Sequence, residues 1–261
     1  MRDQGLQMAI VAAGGVNSFA KRLGVPQPFV SNWTRIPQES VITVESMTGV
    51  SRHLLRPDLY MDDQQSGEKP LLDEVDQARA QEYLLLGSLL RQAPVEVLLA
   101  EIGRMQGSAS VLGLLHMSLA EAADETDATT QSREFFRLFV GVGRGELLPY
   151  GSYYQTGFLH ERPLARVRED MARLGIERSS SLSEPEDHIG ILFDVMAGLI
   201  TGQFDATETE QQEFFALHIK PWATQLFADM EACAKTPFYK AVARVGVAFV
   251  EIETAGFALP V

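Results

Sequence analysis

Ser183-Glu-Pro-Glu-Asp-His-Ile-Gly-Ile-Leu-Phe-Asp-Val-Met196 is the stretch whose reading decides the fold of this chain. Ser183 and Glu186 stand at capping-box spacing, and Pro185 is tolerated in a first helical turn. Glu184, Glu186 and Asp187 suit the positive end of a helix dipole. The apolar run that follows predicts a helix over 184–201. His188 sits beside Asp187 at the start of that helix, where both could face a cleft. A catalytic reading would require a nucleophile or a metal. The other histidines, His53, His116, His160 and His218, are scattered without ligand spacing.

The same apolar period extends in both directions. Residues 71–91 repeat it through Val75, Ala78, Tyr83, Leu86 and Leu90. Pro94 opens a further helix that closes between Gly103 and Gly107. Residues 108–123, 130–142, 163–174, 208–217, 221–234 and 237–253 repeat the pattern. Nothing reads convincingly as an alternating strand or hairpin. The expected fold class is all-α, with a helical bundle over 71–261.

Two more stretches of this bundle stand out. In Glu134-Phe-Phe-Arg-Leu-Phe-Val-Gly-Val-Gly-Arg-Gly-Glu-Leu-Leu-Pro-Tyr-Gly-Ser-Tyr-Tyr154 an aromatic helix runs into a glycine-rich loop and a Pro-Tyr-Gly-Ser turn. The glycines resemble a phosphate loop only loosely, because no strand precedes them and no Lys-Ser/Thr pair follows. A helix end turning a sharp corner, with Tyr150 and Tyr153 packed on neighbours, is the better reading of that stretch alone. In Gln212-Glu-Phe-Phe-Ala-Leu-His-Ile-Lys-Pro-Trp222, followed by Pro237-Phe-Tyr239, packed helices carry aromatic anchors, and His218 suits a helix C-terminus.

In this order and separation, the three stretches resemble the TorD/DmsD family of chaperones for molybdenum-dependent redox enzymes, over roughly residues 75–255. The motifs are Leu138-Phe139-Val140-Gly141 with Pro149-Tyr-Gly-Ser-Tyr-Tyr154, Glu184-Pro-Glu-Asp-His188 with Leu192, Phe193 and Met196, and Phe214, His218, Trp222 with Pro237-Phe-Tyr239. Gly190-Ile191 departs from the family, where a bulkier or acidic residue is common. The resemblance implies a cytoplasmic, non-enzymatic chaperone with no cofactor. Such a chaperone binds the twin-arginine signal peptide of a molybdoenzyme precursor and holds it from export while its cofactor is inserted. It further implies weak guanine-nucleotide binding and a domain-swapped homodimer. The signal-peptide residues carried over are Tyr150, Ser152, Pro185, Asp187 and His188. The run from Gly143 to Tyr154 resembles members associated with formate dehydrogenase.

Charge fits that expectation. The chain of 261 residues has a net charge of −13. Residues 1–60 hold six basic side chains (Arg2, Lys21, Arg22, Arg35, Arg52, Arg56) and four acidic ones (Asp3, Glu39, Glu45, Asp58), a net +2 that leaves −15 for the rest. An acidic body attracts a peptide bearing two guanidinium forks, with Asp187 as one local partner and apolar residues such as Phe135, Phe139 and Phe193 as a groove floor. Excess negative charge is also ordinary for cytoplasmic proteins. It excludes a chain that coats nucleic acid along its length. The single cysteine, Cys233, excludes an intramolecular disulfide and a Cys-based zinc site. No apolar run reaches the ~20 residues of a membrane span, and the patch at 8–13 makes a poor signal peptide.

Residues 61–70 are polar, end in proline and read as a linker. The head before them, 1–60, reads as four short helices over 6–13, 16–23, 27–35 and 39–48. Phe19-Ala-Lys-Arg-Leu-Gly-Val-Pro-Gln-Pro-Phe-Val-Ser-Asn-Trp33 has helix-turn-helix spacing, with small Ala20 at the crossing, Gly24 in the turn and Leu23, Val25, Val30 and Trp33 as core. Gln27, Phe29, Ser31, Asn32 and Arg35 would line the exposed face of the second helix, where Gln and Asn suit adenine and Arg suits guanine or phosphate. With Ala9-Ile-Val-Ala-Ala-Gly-Gly15 and Val50-Ser-Arg-His-Leu-Leu-Arg-Pro-Asp58, the head resembles the Cro/YdaS group of DNA-binding domains, which implies a repressor-like module. Pro26 replaces the family's usual Ser/Thr cap, and the connection at 35–37 is short. A protein-docking head and a transcription regulator with a helical dimerisation or sensing body remain alternatives. A chaperone with a DNA-binding head extends to a sensor that couples precursor supply to transcription.

Overall fold

The computed structural model describes residues 3–57, 59, 72–178 and 184–259; the expected linker at 61–70 and Ser183 lie outside them. The chain divides into two compact units, Met1–Leu71 and Leu72–Val261. Among the described residues both are built from helices, with one isolated antiparallel bridge.

The small unit holds α1 (Gln4–Ala12), α2 (Val16–Leu23), α3 (Gln27–Ser31), a single 3-10 turn (Gln38–Ser40), α4 (Val41–Thr48) and α5 (Arg52–Leu55). Asp3 caps α1 by accepting from the Leu6 N–H at 2.9 Å. Gly24 ends α2 at φ 75°, and the Val25 N–H returns to the Ala20 carbonyl at 3.1 Å, which folds the turn into α3. Three expectations for the head need correction. The helix expected over 27–35 ends at Ser31, because the Thr34 carbonyl is drawn to the Asp3 N–H at 2.8 Å. A fifth helix, α5, follows the four that periodicity revealed; Glu45 caps it by accepting from the Arg52 N–H at 2.8 Å. Its carbonyls lie so close to α1 that a Cβ on Gly5 would stand 2.2 Å from the Leu55 oxygen. Leu23, Val25 and Trp33 only flank the core, which is Leu6, Ala9, Ile10, Phe19, Ala20, Val30, Ile36, Val41, Val44 and Leu55.

The large unit runs α6 (Glu74–Arg91), α7 (Glu96–Gly103), α8 (Val111–Asp124), α9 (Ala128–Phe135), a π turn (Phe136–Val140), α10 (Gly151–Thr156), α11 (Arg162–Arg173), α12 (Ile189–Ile200), α13 (Glu208–His218), α14 (Ala223–Cys233) and α15 (Pro237–Gly256). Its centre is α12, buried at every residue except Asp194. That helix packs along α6, and the contact is close because glycines face each other: a Cβ on Gly87 would meet the Gly190 carbonyl at 3.2 Å. Tyr83 stands edge-on between Phe193 and Phe249, and Phe193 continues to Phe227. Such aromatic stacks add about 0.5–1.5 kcal/mol each beyond their burial. The stripe of α6 that faces this core is Ala80, Tyr83, Leu86, Leu89 and Leu90. Val75 and Ala78, expected on it, are exposed at the first turns.

Candidate functional site

Residues 184–188 form a turn outside the helix, which corrects the expected helix start. Its backbone pairs instead with 149–151: the Ile189 N–H donates to the Pro149 carbonyl and the Gly151 N–H to the Asp187 carbonyl, each at 2.9 Å, forming the bridge between Tyr150 and His188. The helix therefore begins at Ile189, and its cap is His188, whose Nδ1 accepts from the Gly190 N–H at 3.0 Å. Two stretches some 35 residues apart in sequence thus become one structural unit.

Each expected site residue has a definite place in it. Asp187, 1% exposed, accepts from the Ser152 N–H at 2.7 Å through Oδ2 and so holds the first turn of α10. Its Oδ1 and the Ser152 Oγ are buried with no hydrogen-bond partner among the described residues. Pro185 is half-buried, and its carbonyl accepts from the His188 N–H at 3.0 Å. The His188 ring is edge-on to Tyr150 at 5.2 Å. Burial, helped by the nearby Arg91 charge, pushes the His188 imidazole down to about 3, so it stays neutral at ordinary pH. The Tyr150 hydroxyl donates to Glu184, and burial together with that carboxylate pushes its own ionisation far up.

The third stretch braces this unit from behind. The Trp222 Nε1–H donates to the His218 carbonyl at 2.6 Å, and the Trp222 ring stacks on Tyr154 at 5.4 Å. A Cβ on Gly151 would stand 3.2 Å from Trp222 Nε1. His218 pairs with Asp170 at 2.8 Å. Burial lowers the His218 pKa against the pull of that carboxylate. The glycine-rich loop does turn a corner. The Glu146 and Leu147 N–H groups donate back to the Arg137 and Leu138 carbonyls, at 3.3 and 2.8 Å, which closes the loop on the π turn.

Beside the 184–188 turn opens a crevice of about 400 Å³. Its floor includes Met171, Ile176, Ile191, Val195 and Phe204; its rim carries Glu177, Glu184, Glu186 and Asp194 with Arg91 and Arg178. Gly198 admits the floor ring, since a Cβ there would meet Phe204 at 2.4 Å. The floor expected from Phe135, Phe139 and Phe193 is corrected: Phe193 is fully buried core, and Phe135 and Phe139 pack against that core. Asp187 and His188 do not line the crevice; Glu184 and Glu186, read from sequence only as helix-end charges, do.

Two of the rim carboxylates, Glu186 and Asp194, are in ion pairs. Glu186 accepts from Arg168 through Nε at 2.9 Å and Nη2 at 2.8 Å. Burial, the largest single influence, works to raise the Glu186 pKa, but the Arg168 hydrogen bond, the residue's own backbone N–H and the Arg168 and Arg178 charges together hold the carboxyl below its ordinary value. Asp194 pairs with Arg91 at 2.8 Å; burial raises its pKa against that partner. The Arg91 stem crosses Gly190, where a Cβ would lie 2.4 Å from its Cγ, and this gives the departure at Gly190 its reason. Asp194 carried a signal in the sequence. It is the lone charge in an otherwise apolar run from Ile189 to Ile200.

On the small unit, Gln27, Ser31, Asn32 and Arg35 are exposed on and just after α3, and Gln27 donates to the Ser31 hydroxyl at 2.6 Å. Phe29 lies in α3, with its side chain outside the described set. Pro26 provides no side-chain cap. Among the described residues no three His, Cys, Asp or Glu side chains gather as a metal site, and no helix is long and apolar enough to cross a membrane.

Comparison with known proteins is informative for both units. The family described as "Nitrate reductase delta subunit" matches residues 107–228, and that described as "Bacterial toxin YdaS" matches 6–64. Chaperone protein TorD of Vibrio cholerae serotype O1 (strain O395) is 27% identical over 202 residues, covering 68% of this chain and 90% of the relative. TorD of Vibrio cholerae strain M66-2 is 30% identical over 147 residues, 51% of this chain and 66% of the relative. A solved structure from Archaeoglobus fulgidus, described as a candidate redox enzyme maturation protein, aligns over 71% of this chain and 99% of its own with a TM-score of 0.46 and 18% identity.

Proposed function

We propose that this chain, TorD-like in its large unit and YdaS-like in its small one, is a redox enzyme maturation chaperone that binds the cationic leader of a molybdoenzyme precursor in its crevice. The observation that carries the reading is the crevice itself, an apolar floor rimmed by Glu184, Glu186 and Asp194. A twin-arginine signal peptide presents the complementary chemistry, two guanidinium forks followed by an apolar stretch. Each fork can engage a carboxylate through two charge-assisted hydrogen bonds. The apolar stretch gains about 25 cal/mol per Å² buried on the floor.

The expected residues then act at one remove. Tyr150 steadies Glu184 from behind, and Asp187 with Ser152 holds α10 against the turn. His188 starts α12 as a neutral cap, so it adds no cation beside a cationic ligand. The chain carries out no bond chemistry in this account. It shields the leader, in the cytoplasm, until cofactor insertion is complete.

For the small unit, the exposed Gln27, Asn32 and Arg35 support DNA binding through α3 in a major groove. With a charge of only +2, a single head makes few phosphate contacts, and a dimer on paired half-sites would bind better.

Purification of tagged full-length protein from its host, with mass spectrometry of what accompanies it, tests the chaperone reading. A redox enzyme precursor with its leader intact should co-purify with the wild type and be depleted from Glu184→Gln/Glu186→Gln. Absence of any precursor, or equal recovery with both proteins, contradicts it.

A further inference from the structure

We infer that Phe204 is the aromatic anchor of the crevice, and that it selects a leader by the bulk of its apolar stretch. The inference rests on the crevice being the leader site.

Phe204 is the one aromatic side chain among the described residues that line the crevice; the rest of the floor, Met171, Ile176, Ile191 and Val195, carries no ring. It lies in the short connection from α12 to α13, and that connection fixes it on both sides. The chain turns at Gly202, where φ is 64°. The Phe204 N–H then donates back to the Gly198 carbonyl at 3.2 Å, and Thr207 caps α13 three residues on. The ring itself rests on Gly198: a Cβ there would stand 2.4 Å from Cε2 and 2.6 Å from Cδ2. Without that carbon the ring lies against α12 instead of being pushed out into the crevice. It packs on the core yet stays half-buried.

The crevice is also polarised along α12. Glu184 and Glu186 precede the helix, whereas Gly198 and the ring upon it lie near its far end. From the His188 cap to Gly198 is about 15 Å along the axis. Asp194, between them, is already paired with Arg91 at 2.8 Å. Carboxylates at one end and an aromatic ring at the other match a peptide whose guanidinium groups precede its apolar stretch. An extended chain covers that distance in about five residues. A ring held by its own backbone before a ligand arrives needs little ordering on binding, so its contact area is realised as affinity. A leucine of the leader reaches the ring and gains that contact; an alanine is too short to do so.

The test is calorimetric titration of full-length protein with two synthetic twin-arginine leaders, identical except that the leucines of the apolar stretch are alanines in one. Wild type should prefer the leucine leader by about tenfold or more. Phe204→Ala should cut that preference to about two- to threefold, through weaker binding of the leucine leader and little change for the alanine one. Phe204→Leu is the second variant, should the alanine protein fold poorly, and its smaller side chain should give an intermediate preference. A preference unchanged in both variants overturns the inference. So does an equal loss for both leaders, which would make the ring a structural support or a platform for the arginines. A wild type that binds both leaders alike overturns the inference and leaves the leader-site reading standing; one that binds neither removes that reading, and the anchor with it.

Discussion

His188 shows how far a residue can depart from the role its neighbours suggest. Beside an aspartate at a helix start, it has the look of a reactive pair. In the fold it is a buried acceptor that caps α12, with its pKa pushed down to about 3 from an ordinary 6.5. Above pH 6.5 the imidazole is neutral in both folded and unfolded chain and contributes no pH dependence. Below that, the unfolded chain takes up a proton that the folded chain refuses, so stability falls by up to about 1.4 kcal/mol per pH unit toward pH 3. His188→Asn keeps a capping side chain and removes the titration. Denaturant unfolding between pH 6 and 4.5 should give a shallower decline for that variant; parallel curves would show that His188 is not buried neutral. Asp187 is also turned inward. Asp187→Asn retains an oxygen for the Ser152 N–H, while Asp187→Ala leaves it unpaired and should cost about 1–3 kcal/mol more in the same unfolding measurement. Equal stability of the two variants would remove the cap. The sequence drew attention to the right pentapeptide. Which of its side chains faced inward was hidden, because that depends on backbone pairing with a segment about 35 residues away.

At the scale of elements, long helices were legible and short or interrupted ones were not. The 3.6-residue apolar period exposed α6, α8, α11, α14 and α15 to within a few residues. It could not reveal α5 or α10, which are too short to show a period, or the π turn that ends α9. The start of α12 was misplaced because acidic residues and a proline imitate a first turn. In the fold Glu184 and Glu186 lie along the crevice, and Asp187 is committed to another helix. The packing of α6 on α12 depends on Gly87 and Gly190. Gly190→Val would drive a side chain into the Arg91 stem and the Gly87 carbonyl, which a Cβ already approaches at 2.4 and 2.9 Å. A cost of about 1–3 kcal/mol and loss of the Arg91–Asp194 pair are expected, read as a lower thermal midpoint. An unchanged midpoint would show that the two helices separate freely at this crossing.

For the whole molecule, the division of charge is legible in the amino-acid sequence itself. A head of +2 precedes an acidic remainder of −15, and the chain divides into two compact units near residue 71. The crevice was legible only as a requirement. Its floor comes from α11, α12 and the segments after each, and only the fold assembles those residues. If the head reads DNA, Asn32→Ala in the full chain should weaken binding to a preferred site by about 1–3 kcal/mol while leaving random-sequence DNA binding unchanged. Gel shifts that drop equally on both DNAs, or on neither, would argue against base readout by α3. If the two units are coupled, saturating leader peptide should change DNA affinity, and DNA should change leader affinity by the same factor.

The most direct measurement for the whole account is titration of the full-length protein with a twin-arginine leader, at low and high salt, alongside Glu184→Gln/Glu186→Gln. Saturable binding that weakens as salt rises, and drops about tenfold or more in the double variant, is the predicted result. Binding of equal strength in both proteins and at both salt concentrations would contradict the claim that this acidic crevice holds the leader.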